Sequence, residues 1–261
     1  MKANGLNFYF EIHGQGEPLI LLNGIFSTTS GWSSQLPVLT PHFQVYLYDC
    51  RDQGKTELPR TDYPFNTHLD DLHALMNGWG VEKAHFLGIS HGTTLALPFA
   101  YRYPEKVGKM ALLSPLSEWD AQTFDTASMV NHFLNTLSLK DFFPYLMLFG
   151  LGSQFYNRIH AKIPELALEF EKRFPNPDSP RRIVRAAYNG QNFPREKLSA
   201  ILHQTLILTG AEDRYISFAA QKLVHQGLKN SIHKIISETG HSLTLEAPDI
   251  INPLILEFLK S

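Results

Sequence analysis

"HFLGISHGTTLAL" (residues 85–97) is the stretch that decides the fold. An apolar run ends in Gly88-Ile89-Ser90-His91-Gly92, and small and aliphatic residues then carry the chain into a segment of helical period. A sharp strand-to-helix turn needs small residues on both flanks, and it forces the residue at its tip into a strained backbone conformation. The turn lifts that side chain to the carboxyl end of the sheet, where open α/β sheets bind ligands, and the helix N-terminus adds partial positive charge beside it. Ser90 therefore reads as a nucleophile held on a turn. The bland alternative is a tight turn that happens to contain serine.

The rest of the chain supplies the setting. Short apolar runs rich in β-branched and aromatic residues predict strands at 7–13, 18–23, 43–49, 84–90, 109–114, 204–210 and 232–237. Most of the later ones are continuous rather than alternating, as expected of parallel strands covered on both faces. Segments of helical period lie between them, at about 66–79, 91–103, 217–228 and 247–260. Alternating strand and helix predict an α/β fold, a mostly parallel sheet with helices on both faces. The first two strands, joined through "HGQGEP", read as an antiparallel hairpin. The alternation breaks between 117 and 200, where a Phe-, Leu-, Met- and Tyr-rich helical stretch is interrupted by "FPNPDSP" (174–180). This predicts a core of 1–116 and 201–261 carrying a helical cap of 117–200.

Composition narrows the function. The chain has 261 residues, 43% of them hydrophobic and 18% charged, enough for one sizeable domain with an insertion. A net charge of -2 gives no basic face for nucleic acid. Arg181, Arg182 and Arg185 form the nearest thing to a basic cluster, and read first as a solvated helix face. Cys50 is the only cysteine, so intrachain disulfides are excluded. No run approaches the roughly 20 apolar residues of a membrane span, and the N-terminus lacks the apolar stretch of a signal peptide. A reducing cytoplasm is the expected compartment, and neither metal nor cofactor is expected.

A serine nucleophile needs a base, and the base needs an orienting acid. Twelve histidines are present, so location must choose among them. Partners should leave strands at the same end of the sheet, in the chain order serine, acid, histidine. "QTLILTG" is followed by "AEDRYIS", which places Asp213 just past the strand, and "IHKIIS" is followed by "ETGHSLTLEAP", which places His241. Taken singly, Asp213 could be a turn carboxylate and His241 a surface-loop histidine. Glu118 and Asp120, after "KMALLS", are the alternative position for the acid. His91 follows the serine directly, but its side chain should point away from the hydroxyl, leaving its backbone N–H to contribute; His85 reads as a satisfied strand residue. Acyl chemistry also needs donors for an oxyanion. One is expected from His91, and the second from "NGIF" after "PLILLN", with Ile25 as donor and Gly24 permitting close approach.

Together "LLNGIFSTTSGW", "YDCRDQGKTE", "FLGISHG", "TGAEDRYIS" and "ETGHSLTLEAP" resemble the α/β-hydrolase fold family over nearly the whole chain. The resemblance implies a triad of Ser90, Asp213 and His241. Asn23-Gly24 departs from the family's usual His-Gly, Asp52 stands where a glycine is usual, and Thr93 where a second glycine is frequent. A serine at 90 argues against the haloalkane dehalogenase and epoxide hydrolase branches, which use aspartate. The oxyanion loop is also similar to that of the synthases that join two hydroxyacyl chains into a rhamnolipid precursor.

The resulting expectation is a serine hydrolase cleaving a carboxylic ester or thioester of an apolar acyl substrate through an acyl-enzyme. An acyltransferase using the same intermediate and a low-turnover ligand-binding protein are the alternatives. Arg181, Arg182 and Arg185 could also meet an acyl carrier protein, as cap arginines do in relatives that cleave pimeloyl-carrier methyl ester.

Overall fold

The structure, a computed structural model, describes residues 1–190 and 192–261. Among these residues the strands are β1 (Lys2–Ala3), β2 (Leu6–Asn7), β3 (Phe10–His13), β4 (Glu17–Leu22), β5 (Phe43–Tyr48), β6 (Ala84–Ile89), β7 (Val107–Leu113), β8 (Thr205–Gly210) and β9 (Ser231–Ile236). The helices are α1 (Leu36–Leu39), α2 (Thr67–Trp79), α3 (His91–Arg102), α4 (Ala121–Thr136), α5 (Leu139–Gly150), α6 (Ser153–Ile159), α7 (Ile163–Arg173), α8 (Asp178–Gly190), α9 (Phe218–Gly227), α10 (Leu243–Glu246) and α11 (Pro248–Lys260).

The main sheet has the order β3-β5-β4-β6-β7-β8-β9, parallel throughout except for β3, which runs antiparallel to β5. Alternation along each strand splits its apolar residues between two covers. Ile20 and Leu22 of β4, Phe86 of β6 and Met110 and Leu112 of β7 pack with Leu72, Leu75 and Met76 of α2 and Leu95 and Phe99 of α3. Leu19 and Leu21, Leu87, and Ala111 and Leu113 pack on the opposite face with Ile251, Ile255 and Leu259 of α11. Both faces of these strands are dry, which is why the sequence shows continuous apolar runs there.

The N-terminal hairpin is elsewhere than expected. β3 and β4 do not pair; β5 lies between them. The hairpin is instead β1–β2, with Lys2 opposite Asn7 and a two-residue turn at Asn4-Gly5. Both turn residues have positive φ, 44° and 81°, the requirement of a type I′ turn that Asn-Gly meets at low cost.

Helices α4 to α8 follow one another between β7 and β8. Asp120 caps α4 by accepting from Thr123 N, and Ser138 caps α5 by accepting from Asp141 N. The expected break at "FPNPDSP" covers the junction of α7 and α8, with its last three residues forming the start of α8. These helices share an apolar cluster built on Leu134, Phe142, Phe143, Ile163, Phe170 and Phe174, and Ile25 and Phe26 pack against it.

Candidate active site

From β4 the chain continues to β5 on one side, whereas β6 pairs on the other side of β4. Loops leaving the carboxyl ends of β4 and β6 therefore diverge and open a crevice. Ser90 stands at the end of β6, the residue before α3, with φ 53° and ψ −117°. Holding a side chain in such a conformation costs on the order of 1–3 kcal/mol. The flanking glycines follow from close approach: a β-carbon on Gly92 would lie 2.0 Å from the Leu22 carbonyl oxygen, and one on Gly88 would lie 3.0 Å from the Gly92 carbonyl. Only glycine lets the elbow sit this tightly on β4. The Ser90 N–H donates to the Leu113 carbonyl at 2.9 Å, tying the elbow to β7.

Gly24 faces the elbow, since a β-carbon placed on it would lie 3.6 Å from Ser90 Cβ. Asn23 is fully buried and structural. Its Nδ2 donates to the Tyr48 carbonyl at 2.9 Å, and its Oδ1 accepts from Trp32 Nε1 at 2.7 Å. Gln53 Nε2 donates to the Gly24 carbonyl at 2.9 Å, fixing the peptide unit that carries the Ile25 N–H. Phe26, at φ 65°, sets its ring edge-on against Phe142, Phe170 and Phe174. The His91 amide belongs to the first turn of α3, whose N–H groups face out of the helix N-terminus. The His91 ring packs edge-on against Phe65 and His68, at 5.7 and 5.2 Å between centroids. Burial, followed by the neighbouring His91 and Arg51, pushes the His68 pKa well down.

Asp213 and His241 leave the ends of β8 and β9 and meet: His241 Nδ1 lies 2.9 Å from Asp213 Oδ2. The carboxylate side chain is 1% exposed and the imidazole 13%. Asp213 Oδ1 also accepts from the amides of Tyr215 and Ile216 at 2.9 and 3.0 Å, and Oδ2 accepts from Gln221 Nε2 at 2.9 Å. Burial alone would raise the Asp213 pKa, but the imidazole and the two amides outweigh it and hold the carboxyl below the usual range. Ser114, at the end of β7, links the loops: its N–H donates to the Leu208 carbonyl and its hydroxyl to the His241 carbonyl. Among the described residues the Ser90 hydroxyl makes no hydrogen bond to His241.

The alternative acids, Glu118 and Asp120, are engaged with other partners. Asp120 accepts from the Ser217 hydroxyl as well as capping α4, and Glu118 accepts from the Arg195 amide at 2.9 Å. His85 is held by the Lys109 amide and by Glu17. Of the arginine cluster, Arg182 departs from the reading of a solvated face: its side chain is 11% exposed and grips buried Asp52 through Nε and Nη2. Arg181 donates to the Leu134 carbonyl, and Arg185 to Asp62 at 3.0 Å.

A model of the alpha/beta hydrolase fold matches residues 17–248 of this sequence. The chain belongs to that family. RutD of Caulobacter segnis, named as a carbamate hydrolase, is 26% identical over 262 residues, covering 96% of each protein. An alpha/beta hydrolase from a Medee basin deep-sea metagenome library superposes with a TM-score of 0.92 at 24% identity, covering 99% of this chain and 96% of that one. The enol-lactonase of Burkholderia xenovorans superposes with a TM-score of 0.86 at 19% identity, over 99% and 98% of the two chains. Among the described residues, no helix is long and apolar enough to cross a membrane.

Several elements of the site escape a reading of the sequence. Gln53, Ser114 and the Asp52–Arg182 pair act across distant segments, and Glu246, inside the quoted "ETGHSLTLEAP", carries no motif of its own.

Proposed function

We propose that the chain is a serine hydrolase cleaving a carboxylic ester or thioester of an apolar acyl group, with Ser90, His241 and Asp213 as its triad. One observation carries the reading: His241 is bonded to a buried, ionised Asp213 in loops at the same end of the sheet as the strained Ser90 elbow. Donation from Nδ1 to Asp213 fixes the tautomer that leaves Nε2 as a base. His241 then takes the Ser90 proton as Oγ attacks the acyl carbonyl. The oxyanion is met by the amides of Ile25 and His91, and Asp213 stabilises the imidazolium. His241 returns the proton to the leaving group, and water, activated the same way, releases the acid from the acyl-enzyme.

The apolar acyl preference follows from the Phe-rich cluster against which Ile25 and Phe26 pack. Residues 117–200 act as a cap over a core of 1–116 and 201–261 in this reading. The carrier-protein reading loses Arg182 to Asp52 and is not part of the proposal. A cytoplasmic setting suits a chain whose one cysteine is free and buried. Acyl transfer shares every step up to the acyl-enzyme and differs only in the acceptor, and a low-turnover binding protein would stop there.

The test is a panel of p-nitrophenyl esters, acyl-thioesters and aryl carbamates of graded chain length, with product analysis in the presence of an alcohol. Turnover that favours apolar esters and disappears in Ser90→Ala supports the proposal. Turnover unchanged in that variant contradicts it.

A further inference from the structure

The loop that carries His241 is built around one carboxylate. Glu246 Oε2 accepts from the amides of Gly152 at 2.7 Å and Gly240 at 3.0 Å, and Oε1 accepts from the amide of Ser242 at 3.1 Å. Gly240 and Ser242 are the two neighbours of His241, so the carboxylate straddles that residue. Its third amide belongs to the α5–α6 junction. The Gly150 carbonyl, at the same junction, returns the contact by accepting from His241 N at 3.0 Å and Ser242 N at 3.2 Å. Every amide from 240 to 242 is thus paired, either to Glu246 or to the end of α5.

The approach has no room for side chains. A β-carbon on Gly240 would lie 2.5 Å from Gly152 N, and one on Gly152 would lie 2.9 Å from the Glu238 carbonyl oxygen. The acid loop grips the same junction: Glu212 accepts from Ser153 N at 2.7 Å, and Arg214 donates to the Leu148 carbonyl at 3.0 Å and to Ser153 Oγ at 3.1 Å. Tyr215 adds its hydroxyl on the Leu146 carbonyl at 2.8 Å. The loops bearing Asp213 and His241 are therefore set against one another through a shared fixed point, Leu148–Ser153.

We propose that Glu246 is a positioning residue for His241, fixing the direction and distance from which the imidazole reaches Ser90. The inference rests on the reading of His241 as the base. A carboxylate suits the place because three N–H donors converge on two oxygens. A glutamine there has one acceptor oxygen and would turn an NH2 group toward a backbone N–H. Burial of Glu246 raises its pKa while the three amides oppose the rise. The charged groups around the His241 loop are Asp213, Glu246, Glu212, Arg214 and Glu238, the last exposed on the loop itself; Glu212 and Arg214 are held at the α5–α6 junction.

The experiment compares the full-length wild type with Glu246→Gln and Glu246→Asp. It measures kcat and KM across pH for an apolar p-nitrophenyl ester, the rate of fluorophosphonate labelling of Ser90, and thermal midpoints to establish folding. Glu246→Gln is expected to keep KM within about threefold and lose about 10²-fold in kcat, since misplacement by an ångström has effects of that size. Glu246→Asp keeps both carboxylate oxygens but shortens the reach, so its kcat falls by less than that of Glu246→Gln while KM again stays near wild type. A folded Glu246→Gln or Glu246→Asp with wild-type kcat, in a protein whose Ser90 labels normally, overturns the positioning role alone. A kcat loss that merely tracks the fraction unfolded overturns it too. A wild type that neither labels nor hydrolyses overturns the reading of His241 and this inference with it.

Discussion

Asp52 and Arg182 form a two-point ion pair, buried between the loop after β5 and helix α8, 130 residues apart in the chain. Asp52 holds a φ of 60° to make it, a backbone conformation that glycine adopts at lower cost. Removing one partner leaves the other charge buried and unpaired, which typically costs about 3–5 kcal/mol. Arg182→Met alone should therefore destabilise the protein by that order in urea denaturation. The double variant Asp52→Gly/Arg182→Met should recover most of the loss, because it removes both charges and relieves the backbone. A double variant no more stable than the single one contradicts this account of the pair.

Substituting Asp213 by asparagine removes the acceptor that fixes the His241 tautomer. Turnover is expected to fall by about 10⁴-fold, with little change in KM. The stability effect has a defined pH window. The Asp213 pKa is lower in the folded chain than unfolded, so its contribution is fully present above about pH 4 and declines as pH falls through the depressed value. The stability gap between wild type and Asp213→Asn should thus be constant near neutrality and narrow in acid. A gap that widens on acidification has the wrong sign.

Phe26 joins the loop after β4, which carries the proposed oxyanion donor Ile25, to three phenylalanines of the helical segment. Phe26→Ala loosens the loop that presents the Ile25 amide, so kcat should drop by roughly 10–10³-fold, the scale associated with one oxyanion donor. Phe26→Leu, which keeps apolar contact, should restore most of it. Steady-state kinetics at saturating ester separates this from a loss of affinity, which would appear in KM.

How legible these features were follows from the range over which each is determined. β4, β6, β7 and β8 announce themselves because both their faces are covered, and each apolar run ends at the loop that bears Asn23, Ser90, Ser114 or Asp213. Asp213 and His241 could be placed because strand order fixes which loops share an end. The first hairpin was misplaced because "HGQGEP" looks like a tight connection, whereas β5 inserts between the two strands and no local signal reports it. Asn4-Gly5, a strong local hairpin signal, marks the actual turn. Arg182 read as solvated because helix periodicity does not reveal Asp52 facing it. Glu246 stayed invisible because its partners are backbone amides, two in its own loop and one 94 residues away.

The central claim is that Ser90 is the nucleophile and His241 its base, and intact-mass and peptide mass spectrometry after fluorophosphonate treatment tests it most directly. The account predicts one adduct per chain, located on Ser90 in wild type, absent in Ser90→Ala and formed far more slowly in His241→Ala. An unmodified Ser90, or an adduct formed equally fast without His241, would contradict it.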